Sequence, residues 1–418
     1  MSTQFTDVDV PAAGDTGGLR QAMSDYWARV RGGDIGSLPA VLGLIALVIL
    51  FGALEGSTFL SIFNFANLIN QSAAIIVLAM GLIFVLLLGE IDLSAGFAAG
   101  TCAAVLAVAL NSWGLAWPLA LIIALLTGSL IGLVIGLLVA RLGIPSFVVT
   151  LAMFLALQGA MLLIIGEGGT IPIRSDAILV VMNGNMPVWM GWILAVIIVG
   201  GFALSTLIGI RRRKKAGLSS EAMSVWAAKV IVLGVLIFGA TYLLNQERQL
   251  PTAKKVIQGV PWVVVVILVL LVGLTFILQR TGFGRHVYAV GGNREAARRS
   301  GINVKGLMIT CFIACSTLAA VAGVLLASRD NSVSPTTGGA QTLLFAVGAA
   351  VIGGTSLFGG RGKIRDAVIG GLVIAVIANG LPLVTQQSGI QFVVTGLVLL
   401  VAASVDAISR RRANATGR

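Results

Sequence analysis

Charged residues are scarce in this chain, since Asp, Glu, Lys and Arg make up only 11% of its 418 residues. A soluble domain carries about 25% charged residues, which keep its surface hydrated. Histidine occurs once and cysteine three times, which gives neither a disulfide framework nor the histidines that acid–base catalysis commonly uses. Aromatic residues amount to 6%, and the sequence lacks the short alternating segments of an outer-membrane β-barrel. These shortages exclude a soluble enzyme, a disordered protein and a coiled coil.

Apolar residues are abundant, at 57% of the chain, and the mean hydropathy is +1.02. A hydrocarbon core about 30 Å thick is crossed by about 20 apolar residues of helix. We therefore predict an all-α polytopic membrane helix bundle with about twelve transmembrane helices. Two of the spans, 38–54 and 341–359, are candidates for partly re-entrant segments. The predicted spans are 38–54, 69–89, 93–111, 116–140, 145–166, 187–210, 226–245, 261–279, 305–328, 341–359, 364–386 and 388–408.

The distribution of the basic residues predicts the orientation of the bundle. Of the 28 Lys and Arg residues, five fall in loops on one side, namely Arg174, Arg248, Lys254, Lys255 and Arg329. All others lie on the opposite side, which the positive-inside rule identifies as cytoplasmic. Both termini are then cytoplasmic, with tails at 1–37 and 409–418 around a transmembrane domain at 38–408. Because this rule explains the net charge of +12, we expect the lipid bilayer, and no nucleic acid, as a partner.

Polar side chains inside membrane spans are costly, so they mark candidate sites for a solute pathway. Amides and hydroxyls both donate and accept hydrogen bonds, which suits a neutral polyhydroxylated solute. The alternative is that such residues tie helices together or lie at the lipid headgroups. The candidate pathway residues are Asn67, Asn70, Gln71, Glu90, Asp92, Ser94, Thr150, Gln158 and Asn379.

Two polar interruptions between spans have a similar character. One is the segment 89–96, which contains Glu90 and Asp92, and the other is the segment 329–332. The predicted orientation places the first on the cytoplasmic side and the second outside, as in an inverted repeat whose interface forms the pathway. We state this repeat as a hypothesis, and its alternative is an ordinary loop with solvated acids.

A glycine repeat predicts close packing of one span. Gly128, Gly132 and Gly136 recur every four residues within 116–140. Such spacing of small residues lets two membrane helices approach closely. It indicates tight packing and names no function.

The most specific pattern lies in the predicted cytoplasmic connection at 282–302. Asn293 is a good helix N-cap, Glu295 complements the positive start of a helix, and Gly301 can end a helix in a left-handed conformation. We therefore predict a short amphipathic helix at 291–303 on the cytoplasmic face. Its physical properties suit a partner protein or an anionic lipid surface equally.

At this helix the chain resembles the permease subunits of bacterial ABC importers, in the ribose/xylose/branched-chain amino acid permease family. Glu295, Ala296 and Ala297 followed by Gly301 resemble the motif that inserts into a cleft of the ATP-binding subunit. The segments 89–96, 142–158 and 348–362 are similar to three other phrases of the family. By this resemblance, coupling to the ATPase is expected at Gly292, Asn293, Glu295, Ala296, Ala297 and Gly301.

The resemblance implies the permease subunit of an ATP-driven sugar importer that works by alternating access in the bacterial inner membrane. It also implies a homodimer, an ATPase subunit with two nucleotide-binding modules, and an extracytoplasmic sugar-binding protein. The sequence contains no Gly-x-x-x-x-Gly-Lys-Ser/Thr motif, so ATP-Mg is expected on the ATPase. We expect no cofactor on this chain and no enzymatic activity of its own.

The chain departs from the common family pattern in two features, and in both it resembles the xylose-type permeases. Glu90 replaces a glycine of the common phrase, and an extra segment lies near 210–260. A pentose such as xylose is therefore the expected substrate, with ribose, galactose and other solutes left open.

Three other functions are weighed against the importer. An ion-coupled secondary sugar transporter needs an ionisable residue buried in mid-membrane, and only Glu90 and Asp92 qualify. A channel fits less well because no selectivity-filter repeat is evident. A membrane enzyme fits less well because no catalytic cluster of His, Asp and Glu is evident.

Overall fold

The computed structural model describes residues 37–218, 220–248, 256–398, 400 and 404. This part of the chain is almost entirely helical, and the predicted all-α polytopic bundle is confirmed. The predicted tails at 1–37 and 409–418 lie outside the described residues, apart from Ser37.

The described residues form fifteen helices and one pair of two-residue strands. The strands are β1 (Ile171–Pro172) and β2 (Ser332–Val333), which pair antiparallel. The helices are α1 (Leu38–Phe59), α2 (Ile62–Leu87), α3 (Ala95–Asn111), α4 (Trp117–Ala140), α5 (Ser146–Ile165), α6 (Asp176–Asn183), α7 (Val188–Lys215), α8 (Met223–Leu244), α9 (Val263–Arg280), α10 (Gly282–Gly292), α11 (Arg294–Arg299), α12 (Val304–Asp330), α13 (Gly339–Gly353), α14 (Ile364–Val384) and α15 (Ser388–Val398).

Each predicted span contains an apolar helix of the described residues, although the last span, 388–408, lies largely outside them beyond residue 398. Nine of the described helices are long and apolar enough to cross a membrane, whereas α3 and α13 are shorter. The first span, a candidate for re-entry, is a helix of 22 residues. The second begins at Ile62, before the predicted 69, because the side chain of Ser61 caps it by accepting a hydrogen bond from the Asn64 N–H at 3.1 Å. The helices α6 and α10 were not predicted.

The centre of the bundle is formed by α2 and α12. Every residue of α2 from Ser72 onwards is buried, as is typical of a helix that is apolar all round. α12 packs on α2, α3 and α4, while α14 packs on α1, α2 and α13. α7 and α8 pack chiefly on each other. The core therefore consists of α2 to α4 and α12 to α14, with the α7–α8 hairpin at its edge.

The glycine repeat of α4 faces α12. A Cβ built on Gly128 would lie 2.8 Å from the Cβ of Ala320, and one on Gly136 would lie 2.8 Å from the Cα of Ile309. A Cβ on Gly132, between them, would clash with the carbonyl oxygen of Phe312. The two helices are thus in backbone contact, and the predicted tight packing is confirmed.

The two polar interruptions follow corresponding helices of the bundle, one after α2 and the other after α12. α2 is followed by Gly89 with φ of 74°, and α12 is followed by Asn331 with φ of 55°. After each left-handed residue, a short non-helical segment leads to α3 or α13. The helices α2, α3 and α4 correspond to α12, α13 and α14, and the two sets make equivalent contacts. α14 packs on α2 as α4 packs on α12, α3 packs on α4 as α13 packs on α14, and α3 packs on α12 as α13 packs on α2. These contacts are those that the inverted-repeat hypothesis predicts.

Loops that the charge distribution assigns to one side contact one another. On the predicted outer side, the N–H of Ile173 donates to the carbonyl of Asn331 at 2.9 Å, and that of Met186 donates to Val260 at 2.8 Å. On the predicted cytoplasmic side, the N–H of Gly360 donates to the carbonyl of Leu87 at 2.9 Å. The two groups of loops lie at opposite ends of α2, in agreement with the predicted order of the spans.

Candidate functional site

The predicted cytoplasmic helix is present as α11, which has six residues and follows α10 after a break at Asn293. The side-chain oxygen of Asn293 accepts a hydrogen bond from the N–H of Ala296 at 2.9 Å, so the predicted N-cap is confirmed. Gly301 has φ of 88°, and the N–H of Ile302 donates to the carbonyl of Ala297 at 3.1 Å. This ending is a Schellman motif, as the glycine predicted. The helix is shorter than expected because Gly292 already belongs to α10.

α11 presents most of its side chains to solvent. The carboxylate of Glu295 accepts hydrogen bonds from Arg298 at 2.9 Å and from Arg299 at 3.1 Å. These bonds hold the pKa of Glu295 below its usual range. Ala296 is exposed, whereas Ala297 is 4% exposed and packs on the bundle. The helix is thus anchored on one face and free to meet a partner on the other.

Polar contacts fasten α10 and α11 to the bundle. Arg294 forms an ion pair with Glu90, in the segment that follows α2. The hydroxyl of Tyr288 donates to the carbonyl of Gly362 at 2.7 Å, in the glycine-rich loop that follows α13. Burial raises the pKa of Tyr288, which keeps this donor protonated. The two short helices therefore contact both the end of α2 and the glycine-rich loop.

The segment between α2 and α3 is not a solvated loop. Asp92 is 0% exposed, and its Oδ1 accepts hydrogen bonds from the Ser94 N–H at 2.9 Å and the Ser94 hydroxyl at 2.6 Å. A carboxylate in this position is stabilised by the unpaired N–H groups at the start of α3. The thiol of Cys315 lies beside it, near the middle of the 27-residue α12. The alternative of solvated acids is therefore wrong for Asp92, which lies deep in the bundle.

The first turns of α3 and α13 touch inside the bundle. A Cβ built on Gly96 would lie 2.9 Å from the Cβ of Leu343 and would clash with the carbonyl oxygen of Gly339. A Cβ on Gly338 would lie 3.0 Å from the backbone nitrogen of Gly100. Only glycine permits this approach of two backbones. In many transporters, discontinuous helices that begin or end within the membrane domain surround the solute path.

The predicted pathway residues occupy separate places in the structure. Those around the segment between α2 and α3 include Thr150, whose hydroxyl donates to the carbonyl of Ile91 at 3.3 Å. Gln158 lies apart, exposed on α5. The structure therefore brings together Glu90, Asp92, Ser94 and Thr150, and places Asn67, Asn70 and Gln71 on the earlier part of α2, Gln158 on α5 and Asn379 on α14.

Asn70 has the geometry that best suits contact with a solute. Asn67, Asn70 and Gln71 are all partly exposed on α2. The Oδ1 of Asn70 is buried and has no hydrogen-bond partner in the described part of the chain. A buried oxygen without a donor is costly, and a solute hydroxyl can supply that donor. Asn70 thus remains a predicted pathway residue.

Asn379, which stays a predicted pathway residue, has a hydrogen-bond partner within the bundle. Its amide exchanges two hydrogen bonds of 2.9 Å with that of Asn64, and each residue is 8% exposed. The Nδ2 of Asn64 also donates to the carbonyl of Phe59 at 2.9 Å. Asn379 therefore ties α14 to the start of α2, as in the alternative in which polar residues join helices. The Oδ1 of Asp92 accepts two hydrogen bonds from Ser94, but its buried Oδ2 has no hydrogen-bond partner in the described part of the chain. Asp92 therefore stays a predicted pathway residue.

Three residues of the site were not among the predicted ones: Asn64, Tyr288 and Arg294. A signal for Arg294 was present, because Glu90 is an acidic residue on the side of the bundle that carries most basic residues. Asn64 belongs to the same polar group as Asn67 and Asn70, which is a signal in the sequence. The partners of Asn64 and Tyr288 could not be predicted, since they lie far away in sequence and only tertiary packing brings them together.

Comparisons with known proteins show the family of this chain. A family model described as branched-chain amino acid transport system / permease component matches residues 64–403. The chain is 36% identical over 372 residues to the xylose transport system permease protein XylH of Escherichia coli (strain K12), covering 89% of this chain and 92% of that protein. It is 35% identical over 379 residues to XylH of Haemophilus influenzae, covering 90% and 98%. It is 32% identical over 374 residues to the ribose import permease protein RbsC of Bacillus subtilis, covering 90% and 94%. No significant match is found among solved structures.

Proposed function

The chain belongs to the branched-chain amino acid transport system / permease component family, and we propose that it carries a sugar, first of all xylose, into the cytoplasm. The similarity to the xylose transport system permease proteins, 36% over 89% of the chain, carries this proposal. The protein is a multi-pass inner-membrane permease subunit of an ABC importer, and is not itself the ATPase.

A permease of this kind works with an ATPase and a substrate-binding protein. We place the ATPase on the exposed face of α11, where Glu295 and Ala296 meet solvent and Ala297 anchors the helix. The ATPase has two nucleotide-binding modules in this proposal, and ATP-Mg binds there rather than on this chain. The substrate-binding protein delivers the sugar from the extracytoplasmic side.

The proposed transport step is a change of access driven by the ATPase. When its modules close on ATP, they displace α11 and the cytoplasmic ends of the helices that α11 contacts. Access then alternates between the two sides of the bundle. The binding protein supplies the affinity for the sugar, so the path through the permease can be weakly polar. Tight binding inside the path would slow release of the sugar.

We also propose that the importer contains two copies of this chain. Phe147, Leu151 and Leu155 form an exposed stripe along α5, and Gln158 continues the same helical face. Lipid can cover the apolar side chains, but an amide exposed to lipid is costly. A second copy across this face would cover Gln158 and place it beside a path between the two chains.

The alternative of an ion-coupled secondary transporter is less well supported. Such a transporter needs a buried ionisable group that can bind and release the coupling ion. Asp92 accepts two hydrogen bonds from Ser94, and Glu90 is paired with Arg294. Glu90 and one oxygen of Asp92 are therefore engaged in structural contacts, while the buried Oδ2 of Asp92 has no partner in the described part of the chain.

Reconstitution in proteoliposomes tests the proposed function. The permease is combined with its ATPase and binding protein, and uptake of radiolabelled xylose and ribose is measured with and without ATP. We expect uptake only when all three proteins and ATP are present, with xylose preferred. Sugar entry driven by an ion gradient, with the permease alone, would contradict the importer. A preference for ribose would change only the sugar.

A further inference from the structure

We propose that the Glu90–Arg294 ion pair transmits the movement of α11 to the segment between α2 and α3. The inference rests on the proposed function, since it names the side chains through which the ATPase would act on the helices. Glu90 stands three residues beyond the end of α2, and Arg294 is the first residue of α11. The ion pair thus joins the helix that meets the ATPase to the segment that enters the bundle.

The environment of this ion pair differs from that of the pairs within α11. The side chain of Glu90 is 13% exposed, whereas that of Glu295 is 51% exposed. The side chain of Arg294 is 49% exposed, so solvent and salt weaken the attraction from one side of the pair only. Glu295 pairs with arginines of its own helix, so those pairs cannot connect α11 to another element. Glu90–Arg294 does connect two elements.

The backbone around the ion pair forms a close joint at two glycines. The N–H of Gly360 donates to the carbonyl of Leu87 at 2.9 Å. A Cβ built on Gly291 would lie 2.6 Å from the nitrogen of Gly360 and would clash with the Leu87 carbonyl oxygen. The end of α2, the end of α10 and the glycine-rich loop thus meet backbone to backbone. Glycine offers no side chain to resist sliding at these two positions. Tyr288 and Ala297 hold α10 and α11 on the glycine-rich loop and the core, and the Glu90–Arg294 ion pair is the side-chain contact that reaches the segment between α2 and α3.

From Glu90 the chain leads directly to the helices that begin inside the bundle. Two hydrogen bonds join Asp92 to Ser94 directly before α3. In the first turn of α3, Gly96 lies against Gly339 at the start of α13. Displacement of Glu90 would therefore act on the contact between α3 and α13. In this way a movement at the surface reaches the contact that surrounds the proposed path.

The test uses the complete importer in proteoliposomes and measures sugar taken up per ATP hydrolysed. Glu90→Gln and Arg294→Gln each remove one charge, and the double variant E90R/R294E exchanges the charges. Glutamate at position 294 is compatible with α11, because an acidic residue is favourable in the first turn of a helix. Glu221→Gln is the matched control, since it removes the acid of the Glu221–Lys229 ion pair, which lies at the start of α8 and not on α11.

We expect each single variant to lower the sugar taken up per ATP about tenfold, while the ATPase still co-purifies with the permease. The charge exchange should recover uptake per ATP to within about threefold of the unaltered importer. The Glu221→Gln control should remain within about twofold of it. The single variants could reduce the amount of protein in the membrane. In that case, a charge-exchange variant that restores both the amount of protein and the uptake per ATP supports the proposal equally.

Three results would overturn the proposal. The first is normal uptake per ATP by Glu90→Gln. The second is loss of the ATPase from that variant during purification, which would make the ion pair part of docking rather than of transmission. The third is an exchange variant that is no better than the single ones, in amount or in uptake. Failure of the proposed function is distinct, because the unaltered importer would then show no ATP-dependent uptake.

Discussion

The Asn64–Asn379 pair gives a prediction whose size follows from the structure. The two amides exchange two hydrogen bonds between α2 and α14, and Asn64 donates a further bond to Phe59. The perturbation is a double-mutant cycle in which Asn64→Ala and Asn379→Ala are made singly and together. Each single change leaves the other amide buried without its partner, whereas the double change removes both amides.

The expected magnitudes follow from the number of hydrogen bonds. A net contribution of about 0.5–1.5 kcal/mol for each bond, and about 0.6 kcal/mol on average in membrane proteins, gives a coupling free energy of about 1–3 kcal/mol for two bonds. Asn64→Ala should cost more than Asn379→Ala by about 0.5–1.5 kcal/mol, because it also removes the bond to Phe59. The double variant should be more stable than the sum of the single losses implies.

The free energies of unfolding are measured in one detergent by titration with a denaturing detergent, and thermal midpoints are measured by size exclusion after heating. If the free-energy losses of the two single variants add up to the loss of the double variant within about 0.5 kcal/mol, the interaction is refuted. Uptake per folded importer should be unchanged in Asn379→Ala at a temperature well below its midpoint. A selective loss of uptake with stability intact would instead place Asn379 in the pathway.

The remaining predictions concern α11, the α4–α12 contact and the proposed path. Glu295→Lys and Gly301→Pro should each abolish co-purification of the ATPase and ATP-dependent uptake while the chain stays in the membrane. The lysine reverses the exposed charge of α11, and proline cannot adopt the φ of 88° found at Gly301. Normal sugar-stimulated ATP hydrolysis by either variant would contradict the coupling role. Gly132→Val should lower the stability of the chain by about 1–3 kcal/mol because the new side chain forces α4 away from Phe312. Gly201→Val is its control, since no atom lies within 4 Å of a Cβ there, and equal thermal midpoints for the two variants would show that the glycine contact is unimportant. Asn70→Leu should lower sugar uptake with the amount of protein and the bound ATPase unchanged, and unaltered uptake would remove Asn70 from the path. Asp92→Ala should lower the thermal midpoint because it removes two hydrogen bonds to Ser94, each worth about 0.5–1.5 kcal/mol, whereas an unchanged midpoint would show that these bonds do not stabilise the segment.

Local residue patterns are sufficient for the apolar spans and for the ends of α11, but they did not predict α6 and α10. Apolar character summed over about 20 residues identifies a membrane helix without reference to any other part of the chain. The ends of α11 were also predictable, because the Asn293 cap and the left-handed Gly301 act on the backbone within a few residues of themselves. The spacing of Gly128, Gly132 and Gly136 predicted close packing because it places bare backbone along one helical face.

The partners of the polar side chains required the folded chain. Asn64 and Asn379 are 315 positions apart, and Glu90 and Arg294 are 204 positions apart. No local pattern distinguishes an amide that meets another amide from one that faces a solute. The same holds for the starts of α3 and α13, which hydropathy places at opposite surfaces. Their contact inside the bundle depends on the packing of α2 and α12, because these central helices place the non-helical segments within the core rather than in water.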